Sequence, residues 1–508
     1  MGIIQKEAVK TTILSTIGLV LGYLNKAVLF LILLSPSQVG LVNLTITVAL
    51  LFSQFSNLGT IYTIWRFFPF FRSVEKGHYG FLKFNMLLVF TGVLLFSILL
   101  FVCKPQVVSL YNENSPAFVE YYLWVIPIGI AHVYFVLFDN YLRGLYKNFL
   151  SVFANEIVLR LLVLFLLILL YAQAINFHQF FVLHAIVYFV PVSVLLVHLI
   201  YTKELVFSSK QAIQIPKRFR KILLYFSSFS YLNTLSVLLV ISMDAMMIAH
   251  YLDLKATGIY TTIIYLTSAA MIPYRSLIRV SSPKVAEFWK RKDLKALQDI
   301  YQKSSSVGLL FALTVFLIIW VPIQELFNFI PAYRDGIYVF LFLMLGRMVD
   351  MYCGLNGAIF STSRKFKFDL VFSVFLCATV FVLNILLIPS YGIVGAAVST
   401  SFAYIVYNVL RCFYIYKMYG LHPFKVQQFK VIGVFSLFIL LYLGFENKVM
   451  SIDYLALNPF WSVVFILGKW LTIFSGFILP VYIFKFEENS VNFIDSIIKR
   501  WFNKKQQV

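Results

Sequence analysis

The sequence predicts an all-α polytopic membrane protein with about fourteen transmembrane helices, and three observations support this prediction. First, 61% of the 508 residues are hydrophobic, only 12% are charged, and the mean hydropathy is +0.87. Second, apolar runs of about 20 residues, each long enough to cross ~30 Å of hydrocarbon, recur along the chain. Third, Lys and Arg residues cluster in alternate connections between these runs. The alternating pattern of a membrane β-barrel is absent.

Taken in order, the apolar runs predict fourteen spans, separated by short turns or by longer basic segments. Their predicted bounds are 11–34, 41–64, 84–103, 118–139, 152–172, 178–201, 222–251, 256–278, 306–327, 336–360, 368–388, 392–416, 427–446 and 460–484. The first run is longer than the core of a signal peptide, contains Lys26 and lacks a small-residue cleavage site. We therefore expect it to be retained as a helix.

The positions of the 42 Lys and Arg residues predict the orientation of the chain in the membrane. If the N-terminus is inside, the outside loops contain only Lys104, Lys255, Arg334 and Lys448, whereas the inside segments hold most of the others. This asymmetry predicts an even number of spans with both termini in the cytoplasm. It also accounts for the net charge of +21, because basic residues near anionic lipid act as topology signals. We therefore expect no nucleic-acid partner.

Two stretches, 29–76 and 242–303, share a similar plan. In each, an apolar helix is followed by a short turn that ends at a glycine (Gly40 or Gly258), a second helix and then a basic segment. A unit that occurs twice, about two hundred residues apart, predicts a chain built from two similar halves. The basic connection 202–221 separates the first six spans from the last eight.

Ionisable residues inside the spans are the main functional candidates, because they are costly in lipid and normally face a cavity or a partner. Glu156 with Arg160, and Arg347 with Asp350, have helical spacing that allows each pair to neutralise itself. Lys26 and Asp244 have no such partner on their own helices, which favours a cavity role for both. Lys469 lies nearer the outer end of its span, where it can extend toward the interface.

Polar side chains in the second span form a stripe, which consists of Asn43, Thr47, Gln54 and Asn57. Such a stripe either lines a hydrated cavity or forms hydrogen bonds between helices. Arg66, Arg275 and Arg279 lie at the predicted cytoplasmic ends of spans 2 and 8. Together with Lys26 they either form a cationic path that suits a phosphate-bearing, membrane-borne substrate, or anchor the helices at the interface.

Enzymatic motifs are missing from the sequence. It contains no P-loop and no catalytic constellation. The four cysteines, Cys103, Cys353, Cys377 and Cys412, have neither metal-site nor disulfide spacing. We therefore expect no catalytic residue, no metal and no cofactor.

The sequence resembles the oligosaccharide and polysaccharide flippases of the MOP superfamily, which also includes O-antigen flippases, lipid II flippases and MATE multidrug exporters. The start, MGIIQKEAVKTTILSTIGLVLGYLN, is similar to members of Bacteroidetes type. LLSPSQVGLVNLT and FSNLGTIYTIWRFFPFFR resemble the family's second-helix region, and MDAMMIAHYLDLKATGIYTTIIYL its seventh and eighth helices. LIPSYGIVGAAVSTSFAYIVYNVLR resembles its eleventh and twelfth helices.

The resemblance implies two six-helix lobes in a MATE-like fold, at 1–221 and 222–420, followed at 421–508 by two further helices and an amphipathic cytoplasmic tail. It implies a multi-pass protein of the bacterial cytoplasmic (inner) membrane that moves an undecaprenyl-diphosphate-linked oligosaccharide outward, coupled to H⁺ or Na⁺, for cell-surface polysaccharide such as lipopolysaccharide O-antigen. We expect it to act as a monomer among membrane lipids. Lys26, Arg66, Arg275, Arg279, Asn43, Gln54 and Asn57 are the candidate substrate-binding residues, and Asp244, Glu156 and Asp350 the candidate ion-coupling residues.

Two other functions stay open. A cation- or proton-coupled multidrug exporter of MATE type would favour acidic groups in its N-terminal cavity, where this chain offers Lys26 and a Glu156 that Arg160 can neutralise. A membrane-embedded glycosyltransferase or polymerase generally needs a large external loop with catalytic groups, and the predicted external loops here are short. Both observations favour the flippase.

Overall fold

The computed structural model describes residues 3–73, 77–205, 217–363, 365, 367–449, 459–492 and 495. All secondary structure in these residues is helical, which confirms the predicted all-α class. The chain divides into two compact units, at Met1–Thr262 and Ile263–Val508. Most of the amphipathic tail and parts of two predicted connections, 206–216 and 450–458, lie outside the described residues.

The first unit contains the helices up to the first half of α14. They are α1 (Ile3–Tyr23), a π-helical segment (Leu24–Leu29), α2 (Phe30–Leu33), α3 (Pro36–Ser56), α4 (Thr60–Phe71), α5 (Phe81–Val102), α6 (Lys104–Tyr111), α7 (Pro116–Tyr121), α8 (Val125–Gly144), α9 (Phe149–Phe153), a second π-helical segment (Ala154–Val158), α10 (Leu159–Tyr171), α11 (Phe177–Val187), α12 (Phe189–Tyr201), α13 (Lys217–Tyr251) and α14 (Leu254–Ala270). Short 3₁₀ turns at Gly77–Gly80 and Tyr122–Trp124 precede α5 and α8.

The second unit begins inside α14 and contains the remaining helices. They are α15 (Ile272–Arg291), α16 (Leu294–Trp320), α17 (Ile323–Asn328), α18 (Ile337–Tyr352), α19 (Asn356–Thr362), α20 (Lys367–Tyr419), α21 (Val426–Val449), α22 (Pro459–Ile473), a π-helical segment (Phe474–Ile478) and α23 (Leu479–Ile483). A 3₁₀ turn at Pro331–Gly336 precedes α18.

Among the described residues, eleven helices are long and apolar enough to cross a membrane, or up to 12 if one bent pair counts as a single span. One of them, Phe368–Tyr419, covers two predicted spans and turns at Gly392, whose φ of 60° an L side chain rarely adopts. The bent pair corresponds to predicted span 336–360. The 17-residue α14 begins two residues before predicted span 256–278, and the last part of that span belongs to α15. The helices therefore agree with the predicted order of spans.

The second predicted span, 41–64, has different bounds in the structure. α3 begins earlier, at Pro36, because Ser35 and Gln38 form a capping box that satisfies the first free amides. The helix ends at Ser56, where Leu58 and Gly59 have positive φ values and a separate helix, α4, follows. Gly40 therefore lies inside α3 rather than at the end of a turn.

The basic connection 283–303 is a helical hairpin. α15 continues to Arg291, and α16 begins after Asp293, whose side chain accepts a hydrogen bond from the Ala296 amide. The apolar face of this hairpin packs inside the second unit, where Val285, Leu297 and Tyr301 are completely buried.

Candidate functional site

Lys26 lies in the π-helical segment Leu24–Leu29, in the middle of the first apolar span. Its side chain is half-buried and close enough to the buried His184 ring to interact with it electrostatically. π-Helical segments inside α-helices are often found at functional sites, because they change the helix register locally. Asn25, beside Lys26, is buried and donates a hydrogen bond of 2.8 Å to the carbonyl oxygen of Arg160.

Glu156 and Arg160 form the predicted ion pair, with 2.5 Å between Oε2 and Nη2. Glu156 also lies in a π-helical segment, Ala154–Val158, and the pair fits against two glycines of α1. A Cβ atom at Gly18 would lie 2.6 Å from Glu156, and one at Gly22 would lie 3.0 Å from the Arg160 guanidinium. The two charges therefore largely cancel within their own helix, and α1 has room for them because of these glycines.

Asp244 is buried near the C-terminal end of α13 and has a partner that the sequence analysis missed. The Tyr260 hydroxyl, from α14, donates a hydrogen bond of 2.5 Å to Asp244 Oδ2. Tyr260 is fully buried, so this contact excludes solvent. The 16-residue separation gave no helical-spacing signal, since the two residues lie on consecutive helices.

The polar stripe of α3 makes hydrogen bonds within and between helices. Asn43 donates a 3.0 Å hydrogen bond to the Thr261 hydroxyl of α14. Asn57 donates to Gln54 Oε1 at 3.0 Å and accepts from the Gly59 amide at 2.7 Å, so it shapes the turn after α3. Gln54 Nε2 is buried and makes no hydrogen bond with the described residues. A substrate role for Asn43, Gln54 and Asn57 stays a prediction.

The three arginines proposed for a cationic path are not brought to one described location. Arg275 and Arg279 are exposed on α15 in the second unit. Arg66 belongs to α4, but its side chain lies outside what the structure describes. Their role in binding also stays a prediction.

In the second unit, Arg347 and Asp350 do not form the ion pair that their spacing allowed. Within the described residues, the Arg347 guanidinium lies over the Tyr404 ring, 5.3 Å from its centroid, and Asp350 is half-buried. A buried ion pair does form between Arg411 and Asp369, both of which are in α20. Sequence reasoning missed it because the two residues lie in different predicted spans, 368–388 and 392–416, which the turn at Gly392 brings together.

Lys469 is buried and does not extend toward the interface. Its Nζ lies 2.7 Å from Glu325 Oε1 and 3.1 Å from the Val321 carbonyl oxygen. Glu325 is completely buried. Local sequence spacing gives no sign of this pair, because Glu325 lies 144 residues before Lys469, on α17.

Metal binding finds no support in the part of the chain that the structure describes. It contains no group of three or more His, Cys, Asp or Glu side chains that could hold a metal ion.

Comparisons with known proteins give distant relatives. No protein-family model matches the chain. It is 23% identical over 452 residues to an uncharacterized membrane protein, MJ1068, of Methanocaldococcus jannaschii, a match that covers 81% of this chain and 83% of that protein. It is 22% identical over 192 residues to Agl15, a probable low-salt glycan biosynthesis flippase of Haloferax volcanii, covering 37% of this chain and 41% of the flippase.

Solved structures share the fold over most of the chain. The lipid II flippase MurJ, in an inward closed conformation, superposes with a TM-score of 0.65 at 13% identity, covering 95% of this chain and 99% of MurJ. An inward-facing multidrug resistance MATE family transporter of the MOP superfamily superposes with a TM-score of 0.64 at 12% identity, covering 80% and 94%. The names of these proteins describe transporters and flippases rather than enzymes. The chain therefore has the fold shared by MATE transporters of the MOP superfamily and by MurJ.

Proposed function

We propose that this protein moves a lipid-diphosphate-linked oligosaccharide from the cytoplasmic to the outer face of a bacterial cytoplasmic membrane by alternating access. The carrier lipid would be of undecaprenyl type, and the product would serve cell-surface polysaccharide synthesis. The observation that carries the proposal is the charge balance of the first unit. Lys26 places a cation in the irregular first helix, and the Glu156 and Asp139 carboxylates each form an ion pair with an arginine four residues later.

A phosphate-bearing substrate fits this balance. Lys and Arg bind phosphate oxygens through charge-assisted hydrogen bonds, which are stronger in a site with little water. Lys26 would meet the diphosphate, and Arg66, Arg275 and Arg279 would guide it from the inner leaflet. Asn43 would contact the substrate only when α3 and α14 separate, since it now bonds to Thr261. Gln54 and Asn57, which bond to each other, would be further polar contacts for the substrate.

Ion coupling is assigned to Asp244, with Glu156 and Asp350 as further candidates. A buried carboxyl can exchange H⁺ or bind Na⁺ as its access alternates, because its charged form is costly without a partner. The Tyr260 hydroxyl provides that partner in this conformation. Gain or loss of a cation at Asp244 would therefore change the contact between α13 and α14.

The predicted lobes, 1–221 and 222–420, and the terminal part, 421–508, belong to the same proposal. In it the two lobes alternate between inward and outward access, while the terminal helices accompany the second lobe. Both termini would face the cytoplasm.

A MATE-type exporter of lipophilic cations is the second candidate, because its fold likeness is nearly as high as that of the lipid II flippase. Such an exporter needs an uncompensated acidic group in its cavity. The ion pair between Glu156 and Arg160 argues against one at that position. Asp244, a buried carboxyl, is the acidic group that would favour the exporter.

One experiment separates the two candidates. The gene is deleted, and cell-surface glycan, lipid-linked intermediates and sensitivity to lipophilic cations are measured with and without complementation. We expect loss of surface glycan and accumulation of a lipid-linked oligosaccharide on the cytoplasmic face. Normal glycan combined with increased cation sensitivity would replace the flippase by the exporter.

A further inference from the structure

The connection between α6 and α7 is bonded to the last turns of α13. Asn114 Nδ2 donates a hydrogen bond of 2.6 Å to the His250 carbonyl oxygen, and Ser115 Oγ donates one of 2.7 Å to that of Ala249. The Tyr111 hydroxyl reaches the Met246 carbonyl oxygen at 3.2 Å. Three side chains from one short segment thus bind three carbonyl groups of one helix end.

Two of these bonds satisfy carbonyl groups at the end of α13 that have no partner within the helix. The last four carbonyl groups of an α-helix have no partner within the helix. Ala249 and His250 belong to the last turn of α13, which ends at Tyr251. Ser115 is completely buried and Tyr111 nearly so, hence water cannot readily replace their hydroxyls. Removal of the Asn114 and Ser115 donors would leave the Ala249 and His250 carbonyl groups without these partners, whereas the Met246 carbonyl, one turn earlier, also has a partner within α13.

The attachment is reciprocal. His250 Nδ1 lies 2.6 Å from the Leu110 carbonyl oxygen, and because a carbonyl can only accept, the ring nitrogen carries the hydrogen. Leu110 is in the last turn of α6, so its carbonyl also lacks a partner within its own helix. The Tyr111 and His250 rings meet edge to face, with centroids 6.1 Å apart. Side chains at the end of each helix therefore donate hydrogen bonds to carbonyl groups at the end of the other helix.

The same end of α13 leads directly into a close crossing of two helices. α14 begins at Leu254, three residues after α13 ends, and meets α3 at Gly258. The hydrogen bond from Asn43 to Thr261 lies one turn further along both helices. The distribution of Lys and Arg predicts that all of these helix ends lie on the outer side of the membrane, opposite to the cytoplasm.

We propose that the α6–α7 segment, through Tyr111, Asn114 and Ser115, is an outer latch that holds α13 and α14 against α3 and must release in each transport cycle. The proposal rests on the proposed function for its place in the cycle. Its physical content, that these bonds keep the outer end closed, does not depend on what is transported.

The test measures access from the outside. Thr47, one turn beyond Asn43 on the same face of α3, is changed to cysteine in a Cys103→Ser background, since Cys103 lies at the outer end of α5. An impermeant maleimide is added to spheroplasts, and the labelling rate is compared with and without the Asn114→Ala and Ser115→Ala changes. Ser109→Ala is the matched control, because the Ser109 hydroxyl bonds only within α6, to Gln106.

We expect labelling to be about five- to thirtyfold faster when one or both latch bonds are removed. The Ser109→Ala control should label as slowly as the parent. If the alanine variants are not produced, Tyr111→Phe removes one hydroxyl without changing the packing, and about fivefold faster labelling is expected. Unchanged rates in well-produced latch variants would overturn the proposal. Labelling and the gene-deletion experiment give independent results. Faster labelling of the latch variants, together with normal surface glycan in the deletion strain, would support the latch and reject the flippase.

Discussion

Gly40 and Gly258 meet at a backbone-to-backbone crossing of α3 and α14. A Cβ atom at Gly40 would lie 1.9 Å from the Leu254 carbonyl oxygen, and one at Gly258 would lie 1.9 Å from the Pro36 carbonyl oxygen. Pro36 and Leu254 are the first residues of their helices, so each glycine occupies the same helical position. The two helices thus contact each other through equivalent atoms, as an approximate twofold axis between them requires.

Replacement of Gly40 by alanine should prevent this crossing. The new methyl group would meet backbone, which cannot rotate away as a flexible side chain can, so α3 and α14 would have to separate. We expect Gly40→Ala to reduce flipping at least tenfold in a complementation assay, while insertion of the protein is retained. Gly258→Ala should have the same effect.

Gly468→Ala provides the control for this prediction, because a Cβ atom there would meet no heavy atom within 4 Å. Alanine is also the better helix former, so this variant should be at least as stable as the natural chain. Full activity of Gly40→Ala at normal protein level would show that the crossing does not have to close.

The repeat that contains the two glycines was visible in the sequence, but its meaning was not. Similar spacing around Gly40 and Gly258 predicts two related units, but the Ser35–Gln38 capping box starts α3 at Pro36, so the turn lies before Gly40 rather than at it. Hydropathy identified the spans well, since a crossing helix needs a long apolar run. It also placed the break between spans 368–388 and 392–416 beside Gly392, where the helical run of α20 turns.

Charged residues show which contacts can be predicted from local spacing and which cannot. The Glu156–Arg160 pair was predictable because both members lie on one helix at a spacing of four. The partners of Lys469 and Asp244 were not, since Glu325 and Tyr260 come from other helices. Local spacing predicts contacts within a helix, but contacts between helices depend on the packing of the whole unit.

A substitution at Lys26 tests the substrate site. Lys26→Ala should abolish flipping and leave insertion unchanged, because it removes the cation expected to meet the diphosphate. Lys26→Arg should keep partial activity, since the charge survives while the geometry changes. Surface glycan and protein level are measured together in the complemented deletion strain. Normal glycan with Lys26→Ala would remove this residue from the mechanism, and loss of the protein would assign Lys26 a structural role instead.

Asp244 and Tyr260 can be separated by two conservative changes. Asp244→Asn keeps the shape and removes the charge, so transport by the purified protein in liposomes should lose its dependence on an H⁺ or Na⁺ gradient. Tyr260→Phe keeps the carboxyl and removes its donor, which should change the rate but retain the gradient dependence. Transport by Asp244→Asn with unchanged gradient dependence would contradict the coupling role.

The contacts of Glu204 should make the stability of the protein depend on pH. His78 Nε2 lies 3.0 Å from this carboxylate and Lys147 Nζ lies 3.2 Å from it, so three predicted cytoplasmic connections meet there. The hydrogen bond with His78, followed by the contact with Lys147, lowers the pKa of Glu204 below its ordinary value of 4.5. A lowered pKa in the folded state means that the carboxylate stabilises the fold above pH 4.5, and that this contribution is lost as the pH falls through the lowered value.

Thermal unfolding of Glu204→Gln in detergent checks this prediction. The variant should be less stable than the natural chain near neutral pH and should lose less stability on acidification below pH 4.5. Glu287→Gln, which removes a carboxyl from an exposed pair with Arg291, is the control. Parallel pH profiles for the natural chain and Glu204→Gln would contradict the role of this contact.

The buried pair of Lys469 and Glu325 should matter far more for stability than any exposed pair. Lys469→Ala would leave a completely buried carboxylate without its cation, and such a change typically costs about 3–5 kcal/mol. Lys303→Ala, which breaks an exposed pair with Asp299, should cost less than about 1 kcal/mol. Because an apolar replacement of a whole buried pair is often neutral, Lys469→Met combined with Glu325→Leu should recover most of the loss. The stability of all three variants is measured by unfolding in detergent, followed by tryptophan fluorescence. A Lys469→Ala protein as stable as Lys303→Ala would show that the pair does not stabilise the contact between α22 and α17.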